Sequence, residues 1–348
     1  MAGRLFSRFG DSRLAMASQC LIVLLVALSG VRQAGALEVH GAVSLGHDSN
    51  PAQTPDAEPA LSFAHYKLSA SKPLAFDASD LTFTARGWYR DYEGSNDSHR
   101  LTAAGDWSRS LEGGLARLSL GAELSAYRDR LVPADERDEF SLLLNYRRLL
   151  SARMDLAAAA EWLRADYRNP ALPGDGRPGP PSRGSVRVAT TRHADVSGFS
   201  GRPPRPGPGF PPMPALPERE DELLALNTEA TYHWSPAVSS GLQLRLSRRN
   251  SNLVTESYER YGIGLSLALQ PVSAWRAGLI VDWDHLDYAS LSVGPRRDDE
   301  SWSFELSVAR DIGDGELFCR LRHLSNHSTV EVNSFDQTVT HCGLSWDF

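Results

Sequence analysis

Near the end of this 348-residue chain, His323-Leu324-Ser325-Asn326 sets an imidazole and a hydroxyl two residues apart. On an extended strand that spacing puts both side chains on one face, where a histidine can take the proton of a serine nucleophile. Gln337 or Asp336 supplies a polar third residue downstream. The chemistry would be acyl-ester hydrolysis. The competing reading is a polar strand end entering a loop, since three-residue matches are common. The chain has no GxSxG serine, no P-loop and no zinc-ligand spacing. Asp135-Glu136, Asp138-Glu139 and Asp298-Asp299-Glu300 carry oxygens that suit Ca²⁺, but as loop residues they read as solvated. No metal site and no cofactor is expected.

A second set of chemistry-bearing residues is charged and alternates with apolar neighbours: Arg86, Arg117, Glu123, Arg147, Glu161, Glu229, Arg245, Arg276, Asp282, Glu305, Arg320 and Arg322. If these side chains line an interior, they either tune passage through a wet pore or pair across strands and plug it. An interior enclosed by about fourteen strands is wide enough for water, which favours the pore.

The elements that carry both sets have period two. Ala116, Leu118, Leu120, Ala122 and Leu124 alternate with Arg117, Ser119, Gly121, Glu123 and Ser125. Leu242, Leu244 and Leu246 alternate with Gln243, Arg245 and Ser247, and Trp302, Phe304, Leu306 and Val308 with Ser303, Glu305 and Ser307. That is the strand signature. It recurs in about fourteen segments: 38–47, 61–71, 80–91, 98–109, 114–128, 138–150, 153–166, 221–234, 239–250, 257–270, 273–287, 299–311, 315–327 and 335–348. Each is long enough to cross a bilayer as a tilted strand of about 9–11 residues. The expectation is an all-β, transmembrane antiparallel β-barrel of about 14 strands, with 12 to 16 compatible with the pattern.

Residues 1–36 read as an export signal. Arg4, Arg8 and Arg13 precede the short apolar run Leu21 to Leu28, and Ala34-Gly35-Ala36 offers a cleavage site after Ala36. Without them, 32 basic and 42 acidic residues remain, a formal charge of −10. That balance argues against a nucleic-acid partner. No later stretch holds about 18 consecutive apolar residues, so a membrane would be crossed by strands.

Connections after the even-numbered segments are tight, as at Leu111-Glu112-Gly113 and Gly313-Asp314; those after odd segments are longer and polar. Short turns on one side and long loops on the other characterise outer-membrane barrels. Trp107, Trp234, Trp275 and Trp346 fall at the short-turn ends and Trp88, Trp162, Trp283 and Trp302 toward the long-loop ends, as two interfacial belts require. Residues 169–219 hold 13 of the 21 prolines and eight glycines, which excludes sheet. They form a loop insertion, with seven arginines between Arg177 and Arg219 that could reach lipopolysaccharide phosphates or stay solvated.

Three resemblances follow. His341, Gly343, Trp346 and terminal Phe348 resemble the closing signal read by the outer-membrane barrel assembly machinery. His323-x-Ser325 resembles the lipid-facing pair of outer-membrane phospholipase A and lipid A deacylases. Gly46-His47-Asp48-Ser49-Asn50-Pro51, together with Leu324-Ser325-Asn326, Phe335-Asp336-Gln337 and Gly343 to Phe348, is similar to both ends of the barrel in surface lipoprotein assembly modifiers, without their helical-repeat domain. That resemblance implies Gly46, Asp48, Ser49 and Asn50 as a family motif, and a role beside an export system.

The expected function is a pore or an export and translocation conduit in the outer membrane. Its partners would be outer-membrane lipid, lipopolysaccharide, the assembly machinery and a periplasmic export system. The alternatives are a lipid acyl hydrolase using His323, Ser325 and Gln337, or a structural or adhesive barrel acting through its loops. One register test is available. A hairpin centred near Val330–Glu331 sets Cys319 opposite Cys342, and opposed residues lie about 4.5–5.5 Å apart at Cα, within reach of a disulfide. They are either bonded or two small apolar side chains lying side by side.

Overall fold

Alternation of this kind cannot be satisfied by a single flat sheet in water, because one face of the strands is predominantly apolar. The chain resolves this by closing on itself. In the computed structural model, which describes residues 36–55, 60–94, 96–169, 218–289 and 296–348, fourteen strands form a closed antiparallel barrel in sequence order. They are β1 (Glu38–Asp48), β2 (Leu61–Phe76), β3 (Ser79–Tyr92), β4 (Ser98–Leu111), β5 (Ala116–Asp129), β6 (Arg137–Ser151) and β7 (Met154–Tyr167). The second half is β8 (Glu220–Ser235), β9 (Val238–Ser251), β10 (Tyr258–Val272), β11 (Trp275–Tyr288), β12 (Asp298–Ile312), β13 (Gly315–Ser328) and β14 (Phe335–Asp347). β1 pairs with β14, so no edge is left to template other strands. The reading of residues 1–36 lies outside the described residues apart from Ala36, and that of 169–219 apart from Asn169, Glu218 and Arg219.

Strands of 11–16 residues exceed the 9–11 or so that a tilted crossing needs, so both ends project beyond an apolar slab. The exterior is the apolar face. Leu45, Leu124, Leu224, Leu246 and Leu265 are each more than half exposed. In water a continuous belt of this kind would drive association. Among the described residues no helix is long and apolar enough to cross a membrane.

The tight turns follow even-numbered strands. Gly113 and Gly114 adopt φ of 66° and 97° between β4 and β5, and Gly313 adopts 59° between β12 and β13, conformations that a Cβ would strain. Register slips at three of these tight-turn ends, and in β10 the slip between Leu269 and Val272 brackets Pro271, which has no N–H to give the ladder. At the opposite end, single 3-10 turns at Pro133–Asp135, Val254–Glu256 and Glu331–Asn333 fold the longer loops back.

Seven of the eight tryptophans stand on the exterior. Trp283 and Trp302 are directly opposed at the long-loop end. The ring nitrogens of Trp162, Trp283 and Trp234 donate to Glu222, Glu300 and Ser240 at 2.5, 2.6 and 2.9 Å, an apolar ring with its polar tip at a boundary. Trp88 is the exception to the two-belt expectation. It shares parity with Arg86 and Arg90 and therefore points inward, edge-on to His65 at 5.6 Å.

Cys319 and Cys342 are opposed in register and joined by a disulfide, with Cα atoms 4.0 Å apart. Both lie on the exterior face, beside Leu317 and Leu344.

Candidate functional site: the interior wall and its outer rim

Period two forces every residue opposite the apolar belt into the interior. All twelve charged positions singled out above are there, and most are held by neighbours on the wall. Arg86 on β3 pairs with Glu123 on β5. Arg147 on β6 meets Asp155 on β7 at 3.0 Å, and Arg320 meets Glu305 at 3.5 Å. Arg117 donates to Ser108 at 2.5 Å and reaches Asp80 at 3.3 Å. Arg245 on β9 contacts Asp282 at 2.6 Å and Asp284 at 3.2 Å on β11, where Gly262 and Gly264 on the intervening β10 leave room for the crossing. Arg276 on β11 pairs with Asp311 at 2.8 Å and also reaches Glu316 on β13. Glu161 and Glu229 face inward from β7 and β8 and make no such pair among the described residues, and Arg322 lies buried opposite Glu305 on β12.

Sequence reading missed a second tier at the long-loop end. There the interior carries Arg90-x-Tyr92, Tyr127-x-Asp129, Arg137-x-Glu139, Arg219-x-Asp221, Tyr258-x-Arg260 and Arg297-x-Asp299. Most of these side chains are buried. Arg219 stacks 4.4 Å over Tyr167 and pairs with Asp221 and Glu256, each at 3.0 Å. Arg249 donates to the Tyr167 hydroxyl at 2.7 Å and pairs with Asp221. Arg297 lies 3.8 Å over Tyr288. The recurring charge-x-charge or tyrosine-x-charge doublet at strand ends is the signal that parity would have exposed. Arg219, read as part of a solvated or phosphate-seeking loop, is instead packed into this rim. Asp135, in the loop between β5 and β6, is buried behind it, and desolvation pushes its carboxyl up to about 6 despite nearby Arg137.

The proposed family motif has a visible job. Gln337 on β14 donates to both carboxylate oxygens of Asp48 on β1, at 2.9 and 3.0 Å. Tyr92 donates to the same carboxylate at 3.2 Å, and so does the Asn50 backbone N–H at 3.1 Å. Asn50 donates to the carbonyls of Thr54 and Asp336 at 2.9 and 3.0 Å. Ser49 accepts from the Thr338 backbone N–H at 2.8 Å. Gly46 faces His341, and a Cβ there would lie 2.6 Å from the Thr340 carbonyl, so only glycine fits this close approach. Gly343 lies equally close to Val43 and Ser44.

This arrangement takes Gln337 out of the set His323, Ser325, Gln337, whereas Asp336, the other third residue considered, lies opposite Ser325 on the outward face. His323 and Ser325 do face outward together, but Gln337 sits opposite Leu324 on the interior face, committed to Asp48. The His323 ring hydrogen-bonds Thr338 at 3.0 Å, and the Ser325 hydroxyl lies 3.5 Å from His327. A strand hairpin cannot aim residues of opposite parity at one point. At the terminus, Trp346 and Phe348 pack edge-to-face at 6.0 Å on the exterior, and the Phe348 N–H donates to Val39 at 2.9 Å.

No protein-family profile matches the chain, and no curated protein matches its sequence. Solved structures similar to it are outer-membrane barrels. The outer-membrane expressed OmpT of Vibrio cholerae is 7% identical with a TM-score of 0.46, covering 91% of this chain and 99% of that one. A bacterial polysaccharide outer membrane secretin is 9% identical with a TM-score of 0.47, covering 90% and 98%. Pseudomonas aeruginosa OpdK, solved with vanillate, is 10% identical with a TM-score of 0.41, covering 90% and 99%.

Proposed function

We propose that this chain is an outer-membrane β-barrel acting as a pore or an export and translocation conduit. One observation carries the reading. The interior ion pairs described above join strands no more than two apart, such as β3 to β5, β9 to β11 and β11 to β13. Charges arranged along a wall, and satisfied there, leave the centre to water and solute. A barrel plugged by its own charges would pair them across the middle.

The finer assignment, a conduit like the barrel of surface lipoprotein assembly modifiers, is supported by the seam between β1 and β14. The two stretches that carry the resemblance, Gly46 to Pro51 and Phe335 to Gln337, interlock there. Lipopolysaccharide, the barrel assembly machinery and a periplasmic export system are the proposed partners. Purified barrel reconstituted in planar bilayers should give steady ion conductance. A sealed bilayer with protein shown to be inserted would overturn the conduit reading.

A further inference from the structure

We infer that the interior wall on both sides of the seam, from β13 round to β4, holds the anionic groups of a solute, carboxylate or phosphate, inside the barrel. Around mid-barrel its inward positions carry Arg320 and Arg322 on β13, Lys67 on β2, Arg86 on β3 and Arg100 on β4. The register brings them side by side. Lys67 lies opposite Trp88, and Trp88 opposite Arg100, with Arg86 one inward position further along β3. Arg320 lies opposite His341, which in turn lies opposite Gly46. The inward positions within 318–324, 339–345, 42–46, 65–71, 82–88 and 100–104 hold no carboxylate. The carboxylates beyond them are Asp48, taken by Gln337 and Tyr92, and Asp106, the next inward position after Ala104.

The other strands carry the opposite sign. Glu123, Glu161, Glu229, Asp282 and Glu305 face inward from β5, β7, β8, β11 and β12, beside Arg245 on β9. β7 lies seven strands from β14 either way round the barrel, so Glu161 stands on the wall across from the seam. Sorting the signs onto two halves sets a field across the lumen, and low-dielectric walls concentrate it. An anion is drawn to the seam wall and kept off the wall of β7 and β8. Lysine and arginine linings are the chemistry of anion and phosphate pores. Arg86, Arg100 and Arg320 each lean on an acid of a bordering strand, Glu123, Glu139 and Glu305. A guanidinium has five donors, so one such contact leaves others for a second anion.

The inference rests on the conduit reading and deepens it by naming anionic solutes as the class carried. The test is calorimetric titration of the full folded chain in non-ionic micelles with citrate and with inorganic tripolyphosphate. The same anions are applied to the barrel in planar bilayers. Wild type should show saturable heat with at least one of them, and that anion should reduce the current. The tighter of the two decides between carboxylate and phosphate. Lys67→Gln and Arg86→Gln should each weaken binding about tenfold, whereas Arg248→Gln, two thirds exposed on the exterior, should leave it unchanged. Ser69→Glu, which sets a carboxylate opposite Arg86, should abolish binding while the unboiled band still reports a folded barrel. Absence of saturable heat with both anions, or equal titrations for wild type and Ser69→Glu, overturns the proposal. Binding without conductance keeps the anion wall and removes the conduit. Conductance that neither anion alters, without heat, does the reverse.

Discussion

Gln337 and Asp48, separated by 289 residues, hold the two ends of the sheet together: the Gln337 amide donates to both carboxylate oxygens, and both side chains are fully buried. Two charge-assisted bonds at a barrel seam are worth more than at a solvated edge, because the alternative is a bare buried carboxylate. Gln337→Met should lower stability by about 1.5–3 kcal/mol, read as a lower temperature for loss of the folded band on unboiled gels. Asp48→Asn, which removes the buried charge but keeps one acceptor oxygen, should cost less than Gln337→Met. Equal mobility and melting for Gln337→Met and wild type would show that the seam does not depend on this contact.

The disulfide gives a second handle on the same end of the chain. Cys319 and Cys342 enclose a 23-residue separation, and closing such a loop restricts the unfolded chain by about 3 kcal/mol. The double Cys319→Ser, Cys342→Ser variant should still assemble, since the register is set by the hairpin. It should unfold at lower denaturant than oxidised wild type, and reducing agent should bring wild type to the same midpoint.

Phe348 is 75% exposed on the exterior, packed against Trp346, and its N–H makes the last bond of the seam. Phe348→Ser should reduce the fraction of chains that reach the folded, heat-modifiable form in cells, while the strand pairing itself keeps its backbone bonds. Wild-type insertion of this variant would count against the terminus as an assembly signal.

Deleting residues 175–215 should leave the barrel folded, because the deletion spares Arg219 and its contacts with Tyr167, Asp221 and Glu256. Arg219→Ala, a single change, should cost more stability than removing the whole segment. It leaves buried Asp221 with one arginine and Glu256 with none among these contacts. Comparison of the two melting temperatures decides.

Asp135 makes the loop between β5 and β6 sensitive to pH. Its folded value of about 6 lies above the ordinary 3.8, so its neutral form is the one the fold accommodates. The stability it contributes is fully present below about pH 4 and is lost as pH rises through 6, an effect of about 2–3 kcal/mol. Hydrogen exchange at the Asp135 and Glu136 amides, which bond Val132 and Pro133, should show protection falling across that window after correction for intrinsic rates. Asp135→Asn should flatten the profile.

Much of this protein is written in its alternation. Period two fixes which face each side chain occupies, so all twelve interior charges could be assigned from residues such as Leu120 and Leu244 without coordinates. Misplacing Trp88 came from setting belt statistics above the parity it shares with Arg86. A hairpin loop fixes the register of the two strands it joins, which is why Cys319 and Cys342 could be paired by counting from the loop between them. Only the closed barrel decided the rest. Curvature brings side chains of strands two apart into contact, as with Arg245 and Asp284 or Arg249 and Tyr167, and no local spacing encodes that distance. Closure joins β1 to β14, turning Asp48 and Gln337 from the ends of a sequence into partners, and in doing so it withdraws Gln337 from the serine and histidine on the opposite face.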